Sequence, residues 1–338
     1  MLIDRSQIKR VCVIQLGRLG DVFLSTSYFE VLKKQMPDVH ITFLVKAGNH
    51  RVLRDHPYID ELFIIPKAKG VRYILERVNI FRKIANAHFD LVLDHQYKPS
   101  SMYFALASGA KFRIGLAGDR FTIPFSYTHT VPYNVKESRY SATQKFDLIS
   151  PLGFCYEPYT MYLSISTEEQ QAVDVWLAKH ISTNKPIVVI SPGSVSDFKC
   201  WAQKGFAQIA DYFAKQGNEV IFIWGPGEEA IVKAVMAQMQ EKSTMALPTT
   251  PQEGVALLKR ATLFISNDGG MTHLSVVVKV KTVTIFAGTE PSIWSPSEEF
   301  ATHKHLYNTN KLGNSDKFAG ISATQVIQTA ECLLNTSD

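Results

Sequence analysis

One pattern constrains this chain more than any other. A short run of apolar residues ends at a glycine or small-residue loop, and a helix-spaced segment follows at once. Residues 11–16, Val-Cys-Val-Ile-Gln-Leu, stop at Gly17. A nearly continuous apolar run of that length fits a strand covered on both faces, as in a parallel sheet. From Asp21 to Lys34, Val22, Phe23, Tyr28, Phe29, Val31 and Leu32 recur at helical spacing, and Pro37 closes the segment. Strands are expected at 40–45, 62–65 and 91–93, with a helix over 74–87. The pattern restarts at Pro186, with strands at 186–191, 219–224, 263–266 and 282–286. Helices are expected over 206–216, stopped by Gly217, over 228–239, up to Arg260, and over 322–335. Alternation of this kind predicts an α/β chain of two Rossmann-like, doubly wound domains.

A length of 338 residues accommodates two such domains. The join falls within 160–185, where Ser166 and Glu169 have capping-box spacing at the start of a helix. The expected division is 1–165, 166–321 and a last helix at 322–338. If the two domains face each other, the carboxyl ends of both sheets line one central cleft, where ligands of open α/β sheets bind.

Several function classes are set aside by what the sequence lacks. The N-terminus has no apolar signal-peptide core, and no stretch approaches the ~20 apolar residues of a membrane-spanning helix. Cys12, Cys155, Cys200 and Cys332 are scattered with no CxxC pair, which fits free thiols in a reducing cytoplasm. HEXXH, GxSxG and P-loop patterns are missing, which argues against metalloprotease, α/β-hydrolase and NTPase chemistry. The charge is uneven. Residues 1–150 hold 22 Lys and Arg against 13 Asp and Glu, and the remainder holds 14 against 18. A basic front half suits an anionic partner such as a phosphorylated lipid, a membrane surface or nucleic acid, and suits equally a solvated surface.

Three loops that follow strands carry the chemistry. Gly17-Arg-Leu-Gly20-Asp21 allows a tight turn and places Asp21 at a helix start, as an N-terminal cap or as a base for an acceptor hydroxyl. Residues 191–201 form a small-residue loop in which Ser194, Ser196 and Lys199 suit a phosphate, or else a plain surface loop. Residues 266–273 place Asp268, Gly269, Gly270, Thr272 and His273 on one turn before a helix expected from about Thr272. That turn suits a second anion site, or a capping Asp268 and a core His273.

Together these loops resemble glycosyltransferase family 9, the ADP-heptose:lipopolysaccharide heptosyltransferases, over nearly the whole chain. The similar blocks are 13–21 with 24–26, 37–45, 89–96, 107–115, 199–201, 224–226, 267–273, 286–291 and 294–296. The resemblance implies a GT-B fold with the acceptor in the first domain, the donor in the second, and a last helix crossing back to the first. It implies metal-independent, inverting transfer of heptose from ADP-L-glycero-β-D-manno-heptose. The acceptor would be lipid A bearing Kdo, or a heptosyl core, in a Gram-negative cell, with no nucleic acid and no cofactor.

Carried over by position, Asp21 is the general base and Lys199 and Ser194 contact the donor phosphates. Asp268 holds the heptose. Gly269, Gly270 and Thr272 offer amides or a hydroxyl to the diphosphate, and His273 supports that turn. Glu228 and Glu229 compete for the ribose. Gly20, Lys98, Arg113 and Arg120 are acceptor candidates, with Lys67, Lys69, Arg72 and Arg139 in the same basic patch. Peripheral contact with the cytoplasmic face of the inner membrane is expected on the same grounds. Three departures bear on the sugar more than on the reaction. Gly269 and Gly270 stand where the family has Ser or Thr then Gly, with Met-Thr-His following instead of Pro-Met-His. Ala202 replaces a usual Pro, and His95 a usual Leu. Rival readings are a nucleotide-sugar epimerase of similar fold, a member acting on another acceptor such as a protein, and a binding module that has lost catalysis.

Overall fold

The computed structural model describes residues 2–117, 123–132, 139–182, 184–194, 196–307 and 320–336. The chain divides into two compact units, Met1–Ser164 and Ile165–Asp338.

Unit 1 contains strands β1 (Arg10–Ile14), β2 (His40–Lys46), β3 (Glu61–Ile65), β4 (Leu91–Asp94), β5 (Phe112–Ala117) and β6 (His129–Pro132). Its helices are α1 (Leu19–Leu24), α2 (Phe29–Gln35), α3 (Gly70–Asn86), α4 (Pro99–Ala107) and α5 (Ser141–Gln144). The strands pair in the order β3-β2-β1-β4-β5-β6, every pair parallel. Both sheet faces are covered. Cys12, Ile14, Leu44, Phe63 and Val92 pack with Ile80 and Ile84 of α3 and Phe104 of α4. On the opposite face Phe29 of α2 meets Phe43 of β2 at 6.0 Å between ring centres.

The single helix expected over 21–34 is two, α1 and α2. The break has a local cause. Ser25 Oγ donates to Asp21 O at 2.7 Å, Thr26 Oγ1 to Phe23 O at 2.8 Å, and Ser27 Oγ to Ala142 O at 2.8 Å. The first two hydroxyls bond back to carbonyls of the preceding turn, which competes with a continuing helix, and the third ties Ser27 to a distant segment.

Unit 2 contains β7 (Ile187–Ser191), β8 (Glu219–Phe222), β9 (Thr244–Met245), β10 (Leu263–Asn267), β11 (Lys281–Phe286) and β12 (His303–Tyr307). Its helices are α6 (Thr167–His180), α7 (Gln203–Lys215), α8 (Glu229–Met236), α9 (Pro251–Leu258), α10 (Gly270–Leu274), α11 (Pro291–Trp294) and α12 (Ala323–Asn335). The order β12-β11-β10-β7-β8-β9 is the same winding as in unit 1, again all parallel. Alternate residues of β7 serve opposite layers, as pleating requires. Val188 and Ile190 pack with Phe206, Phe213, Val232 and Val326, whereas Ile187 and Val189 pack with Val173, Leu177 and Leu257.

Helix ends follow their sequence signals. Ser166 Oγ accepts from Glu169 N–H, and Glu169 Oε2 accepts from Ser166 N–H at 2.9 Å, so the capping box opens α6. Gly217, at φ 84°, ends α7, with Asn218 N–H donating to Phe213 O. The resemblance sends the last helix back to the first domain. The burial of its apolar face is met within unit 2, where Val326, Ala330 and Leu333 join the core cluster beside α7.

In each sheet the strand order reverses once, between β1 and β4 and between β7 and β10. Loops that leave the carboxyl ends of those strands are where ligands of this architecture bind.

Candidate functional site

In unit 1 the loop after β1 is built around Gly17. A Cβ there would stand 2.8 Å from Asp21 Oδ2 and 2.9 Å from Gln15 Oε1, so only glycine lets the carboxylate lie over this turn. Gly17 N–H donates to Gln15 Oε1 at 2.9 Å, Leu16 N–H to Gln96 Oε1 at 3.0 Å, and Asn49 Nδ2 to Gly17 O at 2.7 Å. Asp21 is not the N-cap, which is Arg18; it is the third residue of α1, its Oδ2 accepts from Arg18 N–H at 3.1 Å, and it remains half-buried rather than sealed. Gly20 is buried inside α1.

Lys145 near Asp21, and His95 behind it, have no assigned role in the sequence. Burial pulls the Lys145 ammonium below its usual pKa, and the Asp21 carboxylate opposes that shift, so a lysine charge lies within electrostatic reach of Asp21. Phe146, the next residue, packs on Tyr28, whose hydroxyl hydrogen-bonds His95 Nε2 at 2.8 Å. Burial, with the Lys145 charge, holds His95 well below the usual histidine range, so the ring is neutral at pH 7. No residue pattern marks Lys145, because tertiary packing alone brings it there.

The acceptor candidates separate. Lys98 is exposed at the start of α4, just past the carboxyl end of β4. Arg113 is not presented to a ligand. Its guanidinium donates to Ser126 O at 3.0 Å, Ala110 O at 2.6 Å and Phe125 O at 3.0 Å, which pins the 123–128 loop. Arg139 pairs with Asp147 at 2.8 Å. Arg120 lies outside the described residues.

In unit 2 the loops after β7, β10 and β11 meet on one carboxylate. Asp268 is buried, and its Oδ2 accepts from Lys199 Nζ at 2.5 Å and from Thr289 Oγ1 at 2.6 Å. Ser194 Oγ donates to Asp268 O at 3.3 Å. Asn267 ties the loops together, with Nδ2 donating to Pro192 O at 2.6 Å and Oδ1 accepting from Trp201 N–H at 3.0 Å. Gly288 lets the β11 loop close on Phe198, because a Cβ there would stand 2.8 Å from that ring. Thr289 is a site residue to which the sequence reading gives no role.

Gly269 and Gly270, half-exposed, open α10 beside Asp268, and the first N–H groups of a helix have no partner inside it. Thr272 does not offer its hydroxyl to a ligand. It is fully buried, sharing a hydrogen bond with Ser266 Oγ at 3.0 Å and donating to Asn267 O at 3.3 Å. His273 is buried, its ring 6.3 Å from that of Trp294.

The two glutamates are told apart by geometry. Glu228 Oε2 accepts from Gly225 N–H at 2.9 Å and would lie 2.5 Å from a Cβ at Gly193, so it sits against the β7 loop. Glu229 instead pairs with Lys233 at 2.7 Å along α8.

Residues 77–320 match the model of glycosyltransferase family 9 (heptosyltransferase). The chain is 25% identical to lipopolysaccharide heptosyltransferase 3 of Escherichia coli (strain K12), over 93% of this chain and 95% of that protein. Its structure resembles a glycosyl transferase family 9 protein from Veillonella parvula DSM 2008, with a TM-score of 0.85 at 27% identity over 97% of this chain and 98% of that one. It also shares the fold of the E. coli heptosyltransferase WaaC solved with ADP-2-deoxy-2-fluoro heptose, with a TM-score of 0.70 at 15% identity over 95% and 99% of the two chains.

Proposed function

This chain belongs to glycosyltransferase family 9, and we propose that it moves heptose from ADP-L-glycero-D-manno-heptose onto the inner core of lipopolysaccharide with inversion at the anomeric carbon. The observation that carries the reading is the buried Asp268 carboxylate, held by Lys199 and Thr289 next to the Gly269–Gly270 turn. It stands at the carboxyl end of the central strand β10, where a Rossmann-like sheet receives a nucleotide. The relatives supply the sugar: the E. coli protein is named a lipopolysaccharide heptosyltransferase, and the WaaC structure holds an ADP-heptose analogue.

In this reading Asp21 accepts the proton of the acceptor hydroxyl. The freed oxygen lone pair forms the new bond to the anomeric carbon while the bond from that carbon to the diphosphate oxygen breaks, and ADP leaves with the electron pair. Lys199 has three N–H donors, so its ammonium can meet the leaving diphosphate while still holding Asp268. That fixed cation is our reason for reading the transfer as independent of a metal, since it stabilises charge where charge develops. Asp268 receives the sugar hydroxyls, and Glu228 the ribose. Lys98 is retained as an acceptor contact on unit 1; Arg113 is not. The reaction so read belongs on the cytoplasmic side of the inner membrane. Among the described residues, no helix is long and apolar enough to cross it.

The test is to give the purified chain ADP-heptose and a panel of lipopolysaccharide cores truncated at successive sugars. The reading expects one core to gain the mass of a single heptose. An epimerised donor with no acceptor gaining mass would replace it with the epimerase reading.

A further inference from the structure

Asp94 ends β4, and the transfer as read above has no use for its carboxylate. The side chain is fully buried, and among the described residues no cation pairs with it. A buried carboxylate without a counter-charge is costly unless hydrogen bonds hold it. Burial raises the Asp94 carboxyl above its usual range, and hydrogen bonds with Ser101, Tyr127 and the N–H groups of Gln96 and Tyr97 oppose that. Tyr127 Oη donates to Asp94 Oδ2 at 2.7 Å, and Gln96 N–H to Asp94 Oδ1 at 2.9 Å.

Tyr127 crosses β5 to reach that carboxylate. Gly115 of β5 is the register partner of Asp94, and a Cβ on Gly115 would stand 2.3 Å from the Tyr127 ring. Glycine there opens the path for the phenol. Each of the two loops that meet on Asp94 also carries a non-glycine residue in the left-handed region. Tyr97, in the 95–98 loop, has φ 48°, and Phe125, two residues before Tyr127, has φ 62°. Such backbone persists only where surrounding contacts over-determine it. Asp94 supplies contacts of that kind, through the Tyr97 N–H on one side and the Tyr127 hydroxyl on the other.

The chain of contacts continues to the proton acceptor. Gln96 Oε1 accepts from Leu16 N–H at 3.0 Å, and Gly17, the next residue, carries the turn over which the Asp21 carboxylate lies. We propose that Asp94 and Tyr127 are positioning residues for the transfer. They fix the 95–98 loop, Gln96 of that loop fixes the Leu16–Gly17 turn, and the turn sets where the Asp21 carboxylate stands. Every member lies in unit 1. The inference rests on the reading of Asp21 as the proton acceptor, while the link from Tyr127 to Leu16 is measurable without turnover.

The experiment measures amide hydrogen exchange at Leu16 and Gly17 in the full chain, beside ADP affinity and kcat for heptose transfer to the core that accepts it. The variants are Tyr127→Phe, which removes one hydroxyl and keeps the ring, Gln96→Ala, and the two combined. Tyr127→Phe is expected to speed exchange at Leu16 roughly fivefold, as loss of one hydrogen bond implies. It is expected to lower kcat about tenfold with both substrates saturating and to leave ADP affinity unchanged, because a misplaced base slows the chemical step alone. The combined variant should be no slower than Gln96→Ala, since both substitutions cut one chain of contacts. If Tyr127→Phe lowers the thermal midpoint, Asp94→Asn replaces it, keeping the side chain's shape and one acceptor oxygen. Unchanged exchange at Leu16 overturns the proposal, as does unchanged kcat in a variant whose exchange has risen. Losses in kcat that multiply in the combined variant overturn it too. A wild type that transfers no heptose to any core overturns the functional reading instead, and exchange at Leu16 still decides whether the link holds.

Discussion

Lys199 and Asp268, 69 residues apart, meet at 2.5 Å, with the carboxylate side chain 3% exposed and the lysine 16%. The contact joins the loop after β7 to the end of β10, so the pair holds the site's shape as well as its charge. A buried carboxylate that loses its cation is left uncompensated.

Lys199→Ala should therefore weaken donor binding and turnover together, with turnover falling roughly 10²–10³-fold. Thr289 gives a finer probe, since its hydroxyl donates to the same oxygen at 2.6 Å. Thr289→Val should cost roughly ten- to a hundredfold in kcat/KM, as loss of a hydrogen bond to a charged group implies, and Thr289→Ser should restore most of it. Steady-state kinetics on the three variants check this. Equal activity in Thr289→Val and Thr289→Ser would remove Thr289 from the site.

The glutamates should respond unequally. Glu228→Gln should reduce ADP affinity by roughly ten- to a hundredfold. Gly193→Ala should do the same, because its Cβ would take the space that Glu228 Oε2 occupies. Glu229→Gln removes only a surface pair along α8, so its effect should stay under about threefold. Titration calorimetry with ADP separates the three.

Stability should fall in acid through a buried histidine. Burial holds His56 at about 4, against an ordinary value of 6.5. The folded pKa is depressed, so the unfolded chain takes up the proton first. The stability present above pH 6.5 is lost as pH falls toward 4, up to about 3 kcal/mol from this residue. His56→Gln should flatten the slope of the unfolding free energy between those values. An unchanged slope would mean that other groups carry the acid loss.

What the sequence allowed to be read follows a physical line. The central strands were legible because burial on both faces demands unbroken apolar runs, as in residues 11–14 and 263–265. The edge strands β6 and β12, His-Thr-Val-Pro and His-Lys-His-Leu-Tyr, have no such run, since an edge strand is only partly covered. Gly115 interrupts β5, where a Cβ would stand 2.3 Å from the Tyr127 ring. The loops of the site were legible from their glycines and acids. The direction of a side chain was not: Arg113 and Thr272 have suitable chemistry and turn inward to carbonyls. Thr289 reaches Asp268 in unit 2, and Lys145 the surroundings of Asp21 in unit 1, only through strand pairing and packing. Glu228 and Glu229 are told apart by the missing Cβ of Gly193, whose place Glu228 Oε2 fills.

The central claim is that Asp21 takes the acceptor proton while unit 2 holds the donor. The most direct test is acceptor-dependent ADP release by Asp21→Asn, with ADP binding measured on the same preparation. The account predicts a fall in turnover of roughly 10²–10⁴-fold with ADP affinity unchanged. Turnover within a fewfold of the wild type would contradict it.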